Sequence, residues 1–484
     1  MSRSVRGVLA VLSLGAASLS AVWSATAEEA APASLVGNWT GAIAAGGAEL
    51  PVVIKVKAGT EPGQLVATLD SPRQGARDIP LRDVSLTDGR VALKLPAAQA
   101  SYSGRLSADG TQIEGTWTQG GQSLPLTLKR VDVVPESRRP QEPKPPYPYL
   151  EEEVSYPSGP GVTIAGTFTR PKEGGPFATI LLVSGSGPQD RDSRVFGHPL
   201  YLVLADHLTR AGLAVLRVDD RGVGRSTGDL AAATTEDFAA DARAGLEYLK
   251  TRKDVDARRL GLYGHSEGGL VVPMVASDAA DVAFVVLVAA PGMPLERGLP
   301  RQSELVDRAE GRDEATIARN LALQKSCFAV VKEEADPTRR AERLRALLNA
   351  EPAIVALGEA AAKRAVEGQV RMMSSPWMRY ILTLDPAPFL GKVRCPVLAV
   401  NGDKDLQVPP ENLEAVRAAL EKGGNKNVRA MVLPGLNHLL QTSQTGAIRE
   451  YAALDETLAP SAADAITAWL VEQTKPSPGA KASK

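Results

Sequence analysis

The sequence predicts an α/β protein: a mostly parallel sheet with helices on both faces, carrying a helical cap and preceded by a separate all-β region. Three observations carry that prediction. From about residue 151, apolar runs alternate with amphipathic helical segments. A proline-rich stretch comes just before them, and ahead of it the hydrophobic period is two. At 484 residues the chain is too long for one small core, so two or more domains are expected.

The first segment reads as an address. Arg3 and Arg6 precede an apolar run rich in Ala, Ser and Gly, and Ala25-Thr26-Ala27 supplies a small-x-small cleavage pattern. Residues 1–27 are therefore expected to be a cleaved signal peptide, which makes the protein periplasmic or secreted. No later run is apolar for long enough to span a bilayer, so no membrane span is expected in the mature protein. A formal net charge of −1 selects for neither nucleic acid nor an anionic membrane as partner. Two cysteines, Cys327 and Cys395, do not make a disulfide framework and read as buried free thiols. Four scattered histidines without paired ligands predict no metal site.

Residues 35–131 contain LPVVIKVKA, QLVATLDS, RVALKLP, SYSGRLSADG, QIEGTWTQGG and LPLTLKRV. Short alternating strands between turn residues predict an antiparallel meander or small barrel. Gly37-Asn-Trp39 and Gly115-Thr-Trp117 echo each other near its ends, as they would if the first and last strands paired. The region resembles lipocalin-like β modules, in which Gly-x-Trp opens the first strand. Residues 132–150, DVVPESRRPQEPKPPYPYL, read as a semi-rigid linker.

The α/β domain is expected over 151–475, followed by a disordered tail at 476–484. Its order is ATILLVS, a helix in HPLYLVLADHLTRAG, LAVLRVDD, a helix in TTEDFAADARAGLEYLKTR, RLGLYGH, a helix from Glu267, and AFVVLVAAP. Thr234 and Asp237 predict a capping box, and Phe238, Ala242, Leu246 and Leu249 share one face of the second helix. Between about 292 and 385 the strands give way to charged, alanine-rich helices, the expected cap. Strands resume in CPVLAVNGD and NVRAMVLPG.

The chemistry centres on GLYGHSEGGL. Ser266 lies between Gly264 and Gly268 where a strand turns into a helix. A nucleophile needs that sharp turn, and the helix N-terminus offers N–H groups to a developing oxyanion. The backbone N–H of Glu267 is the expected first oxyanion donor. The second is expected from the loop after ILLVSGSGPQDRD begins, at Ser186, where many esterases carry His-Gly and this chain has Ser184-Gly185. A serine also needs a base. His265 adjoins Ser266 and points elsewhere on the turn, while His198 and His207 belong to an earlier helix. His438, in GLNHLL after a late strand, remains. The loop in NGDKDLQVP bears Asp403 and Asp405, and its spacing favours Asp405 as the carboxylate that orients the base.

These residues and the stretches SGSGPQDRD, LRVDDRGVGRSTG and GHSEGG resemble an α/β-hydrolase over residues 151 to 475, with bacterial exported hydrolases and serine-aminopeptidase-like members nearest. The resemblance implies the α/β-hydrolase fold and a Ser266, Asp405 and His438 triad with no cofactor. It implies no particular substrate. A carboxylic ester is expected, with a small peptide cleaved by an aminopeptidase or amidase as the alternative. A binding protein that keeps an idle hydrolase fold is the third reading. Asp190, Arg191 and Asp192 read as a salt-bridged scaffold rather than substrate ligands, and Asp219, Asp220 and Arg221 as structural. Met372, Met373, Trp377, Met378 and Tyr380 form a stripe that fits either plain core or an acyl pocket.

Overall fold

The computed structural model describes residues 35–45, 48–71, 76–120, 122–133 and 139–475. The expected signal peptide, tail and part of the linker lie outside them. The described residues form two compact units: one comprises those between 35 and 133 together with Asn349–Val366, the other Arg139–Leu348 and 367–475.

In the first unit eight antiparallel strands close into a barrel. They are β1 (Gly37–Ala45), β2 (Ala48–Ala58), β3 (Leu65–Ser71), β4 (Ala76–Thr87), β5 (Arg90–Leu95), β6 (Ala100–Leu106), β7 (Gln112–Gln119) and β8 (Gln122–Val131). The alternation seen in the sequence becomes alternate burial, clearest in β5, where Val91, Leu93 and Leu95 point inward. Closure comes from β1 pairing with β8, through Asn38–Thr40 against Lys129–Val131. Trp39 is buried at that seam and its Nε1 donates to the Leu35 carbonyl. The Arg130 guanidinium of β8 stacks 4.3 Å from the Trp39 ring and donates to the Val36 carbonyl. First and last strands do pair, but Trp117 sits on the penultimate strand. Side chains fill the interior, as eight strands allow, and the void beside Trp39 measures about 10 Å³.

The second unit is built on an eight-stranded sheet in the order β18-β17-β16-β15-β11-β14-β10-β9. The strands are β9 (Leu150–Gly159), β10 (Val162–Arg170), β11 (Phe177–Val183), β14 (Ala214–Val218), β15 (Val255–His265), β16 (Phe284–Val288), β17 (Val397–Gly402) and β18 (Val428–Leu433). A small hairpin, β12 (Arg194–Val195) with β13 (His198–Pro199), stands apart. From β14 to β18 every pairing is parallel, whereas β10 runs antiparallel to both β14 and β9. The antiparallel pair at the edge lies ahead of ATILLVS, the first strand named from the sequence. β9 shows why: it begins Leu-Glu-Glu-Glu, turns its charges outward and buries only Val154 and Tyr156, as an edge strand does.

Helices cover both faces. On one, α2 (Thr235–Lys250), α3 (Gly268–Ala276) and α11 (Glu411–Lys422) pack with Leu181, Leu216, Leu262 and Val285. On the other, α1 (Leu200–Arg210) and α13 (Pro460–Gln473) pack with Ile180, Val215, Tyr263 and Val400. The capping box at Thr234 and Asp237 is formed, and Ala242, Leu246 and Leu249 are buried with Phe238 packed beside them. Between β16 and β17 run α4 (Leu295–Ala309), α5 (Glu314–Glu333), α6 (Pro337–Asn349), α7 (Pro352–Val355), α8 (Glu359–Met373), α9 (Pro376–Ile381) and α10 (Ala387–Leu390). A short α12 (Ile448–Tyr451) precedes α13. Cys327 and Cys395 are free thiols, both pushed up to about 11 by burial. Among the described residues no helix is long and apolar enough to cross a membrane, and no cluster of His, Cys, Asp or Glu could hold a metal ion.

Candidate active site

Strand β15 ends at His265, and the chain then reverses into α3 through Ser266, whose φ of +55° is unusual for a residue with a side chain. The turn is pinned on both sides of the serine. Its N–H donates to Val288 on the neighbouring strand (3.0 Å), and its carbonyl accepts from Gly269 N–H (2.8 Å). The flanking glycines are required by contact. A Cβ on Gly264 would collide with the Gly268 carbonyl, and one on Gly268 with the Val183 carbonyl of β11. Ser266 is half-buried on this elbow.

The loop after β11 passes close to the serine. A Cβ at Gly185 would lie 3.1 Å from Ser266 Cβ and 3.6 Å from its Oγ. The loop is held from behind by Asp220, which accepts from the Ser184 hydroxyl (2.7 Å) and the Gln189 N–H (3.0 Å). Burial pushes the Asp220 carboxyl up to about 7. The hydrogen bonds from Ser184 and Gln189 oppose that shift, while the charges of Glu267 and Asp241 add to it. Among the described residues neither the Ser186 N–H nor the Glu267 N–H donates a hydrogen bond. Both expected oxyanion donors are therefore unengaged.

Strands β17 and β18 end in two loops that bring Asp405 and His438 together. Asp405 Oδ2 is 2.8 Å from His438 Nδ1. The other oxygen, Oδ1, accepts the N–H groups of Gln407 and Val408, each at 2.9 Å. Both residues are buried. Asp403, the other acid of that loop, turns to the Gly435 N–H instead. The His438 loop is braced by Asn437, whose Oδ1 accepts from the N–H groups of Leu439 and Gln441. His265 reaches the same loop: its Nε2 is 2.9 Å from the His438 carbonyl. Burial, with His438 beside it, pushes the His265 imidazole down to about 3, so the ring is neutral and donates through Nε2. Among the described residues no hydrogen bond joins the Ser266 hydroxyl to the His438 ring. The ring centroids of His265 and His438 are 4.8 Å apart. His198 and His207 stand elsewhere, His198 bonded to Thr457 and the Tyr451 carbonyl, His207 facing Asp464.

The sequence names Glu267 for its backbone N–H and supports no role for its side chain. The Glu267 side chain is buried, and its Oε1 accepts from Thr235 Oγ1 and from Trp377 Nε1, each at 2.7 Å. Burial pushes its carboxyl up, opposed by the hydroxyls of Thr235 and Ser186 and the Trp377 indole. Of the stripe around residue 377, Trp377 alone is bonded to the elbow. Met372 is exposed, Met378 is buried, and Tyr380 packs on the sheet core. The acids and arginines near the loop form a scaffold. Arg191 pairs with Asp219 and Glu153, Asp192 pairs with Arg217, and Arg221 pairs with Asp237 and Asp241.

Comparison with known proteins adds three findings. The family model described as Serine aminopeptidase, S33 matches residues 198–444, about half of the chain. Esterase EstD of Thermotoga maritima is 27% identical over 277 residues, which is 57% of this chain. That match covers 58% of EstD, so the chain spans less than two thirds of this relative. The crystal structure of Pyrococcus furiosus esterase Pf2001 overlays at a TM-score of 0.41 with 14% identity, covering 68% of this chain and 94% of that one.

Proposed function

The chain belongs to the serine aminopeptidase S33 family of α/β-hydrolases, and from that premise we propose that it hydrolyses carboxylic esters through an acyl-enzyme on Ser266. The observation that carries the reading is the buried Asp405–His438 pair, 2.8 Å between Oδ2 and Nδ1, in loops adjoining the Ser266 elbow. EstD, named an esterase, supports the choice of ester.

In this reading His438 Nε2 takes the Ser266 Oγ proton as Oγ bonds to the substrate's carbonyl carbon. The carbonyl π electrons move to oxygen, and the N–H groups of Ser186 and Glu267 hold that oxyanion. Each such donor is typically worth ~10²–10³ in rate. The protonated His438 then gives its proton to the departing alkoxide. Water repeats the attack on the acyl-enzyme with His438 as base, which frees the acid and restores Ser266. Asp405 stays ionised throughout, fixes the imidazole with Nε2 toward the serine and stabilises its cationic form. Export to the periplasm or the medium, on the Arg3–Ala27 pattern, belongs to the same proposal.

A panel of p-nitrophenyl esters set beside aminoacyl p-nitroanilides tests it, with Ser266→Ala as control. Ester turnover that disappears in the variant is expected. Cleavage of the anilides alone would replace the ester with a peptide substrate, and turnover unaffected by Ser266→Ala would sink the mechanism.

A further inference from the structure

Glu267 is one residue past the expected nucleophile and has a side chain that the hydrolytic scheme leaves unused. Its Oε1 is bonded twice, to Thr235 at the start of α2 and to Trp377 on α9 in the cap region. Its Oε2 is buried with no hydrogen-bond partner. The Ser186 hydroxyl faces the same carboxyl and offsets part of the effect of burial without closing a hydrogen bond to Oε2. No ion pair reaches it among the described residues, and its charge adds to the upward push on the Asp220 carboxyl. A buried carboxylate with no cation is costly, and burial pushes this carboxyl up.

We propose that the Glu267 side chain is a positioning residue of the hydrolytic site, clamping the residue that supplies an oxyanion N–H to α2 through Thr235 and to α9 through Trp377. The inference rests on the reading of Ser266 as nucleophile. Residue 267 contributes to the site twice: its backbone N–H faces the reaction and its side chain fixes that backbone. The orientation of the donor therefore depends on whether α9 is seated. Oxyanion donors act only when aimed where charge develops, so loosening the clamp costs transition-state stabilisation rather than substrate binding.

Steady-state kinetics on Glu267→Gln, Glu267→Ala and Trp377→Phe test the clamp, with melting temperatures and the count of fluorophosphonate-reactive sites as controls. Glutamine keeps an oxygen that can accept from Thr235 and Trp377, so Glu267→Gln should retain kcat within about threefold. Glu267→Ala should lose roughly 10- to 100-fold in kcat with KM nearly unchanged, as expected for losing an interaction that matters mainly in the transition state. Trp377→Phe keeps an aromatic ring but removes one hydrogen bond and should lose up to about tenfold in kcat. Should Glu267→Ala fail to fold, Trp377→Phe decides. Wild-type kcat in that variant, a loss confined to KM, or a Glu267→Gln variant as slow as Glu267→Ala would overturn the inference. A wild-type protein without Ser266-dependent turnover would instead overturn the hydrolase reading itself, so the two failures are distinguishable.

Discussion

His265 Nε2 lies 2.9 Å from the backbone carbonyl of His438, which ties the residue preceding the expected nucleophile to the residue expected to act as its base. The contact spans 173 residues of sequence. It joins the end of β15 to the loop after β18, two elements that no strand pairing connects directly. His265 is therefore a brace for the site rather than a second base, in keeping with its burial and its neutral ring.

The brace has a kinetic signature. His265→Gln retains an N–H donor at nearly the same reach and should keep kcat within about threefold. His265→Ala frees the His438 loop and should lower kcat roughly tenfold, the equivalent of one hydrogen bond. Equal kcat in His265→Ala and wild type would show that the loop is held without it.

Asp405 and Asp403 are two residues apart, and only Asp405 faces His438. Asp405→Asn removes the carboxylate that fixes the imidazole, and kcat should fall by ~10³–10⁴ at neutral pH. Asp403→Asn, at an exposed acid bonded to a loop N–H, should stay within about twofold. A reversed order in these two variants would reassign the orienting acid.

Asp220 makes a prediction about stability and pH. Its carboxyl titrates at about 7 in the fold against 3.8 for an ordinary aspartate, because burial disfavours the charge. The folded protein therefore holds that proton between pH 4 and 7 while the unfolded chain releases it. Stability from this group is full below pH 4, declines as pH rises to 7 and is flat above. Asp220→Asn cannot ionise, so the variant should gain on wild type over pH 4 to 7, by ~4 kcal/mol at most. Melting temperatures of both proteins across that range check the sign, and parallel pH profiles would show that the carboxyl titrates normally.

Local patterns made much of the architecture legible. The glycines beside Ser266 are visible because the turn admits no Cβ at either position. Asp405 and His438 are visible because each follows a strand that can be read from its apolar run. Barrel closure was legible from the period of two and the repeated Gly-x-Trp, although Trp117 marks β7 and it is Arg130 of β8 that covers Trp39. Edge strand β9 was harder to see, because an outward-facing run of glutamates looks like linker. The Glu267 clamp left no trace in the sequence. Its partners are 32 and 110 residues away, and a threonine and a tryptophan at those distances have no periodic signature. Pairing of that kind is decided by packing, which a single sequence does not display.

Everything proposed here depends on the hydroxyl of Ser266 being an activated nucleophile. The most direct measurement is to treat the folded protein with a fluorophosphonate and map the adduct by peptide mass spectrometry. One equivalent on the peptide containing GHSEGG, at Ser266, is predicted, with labelling strongly slowed in His438→Ala. Folded protein that stays unlabelled, or carries the adduct on another residue at the same rate with and without His438, would contradict the account.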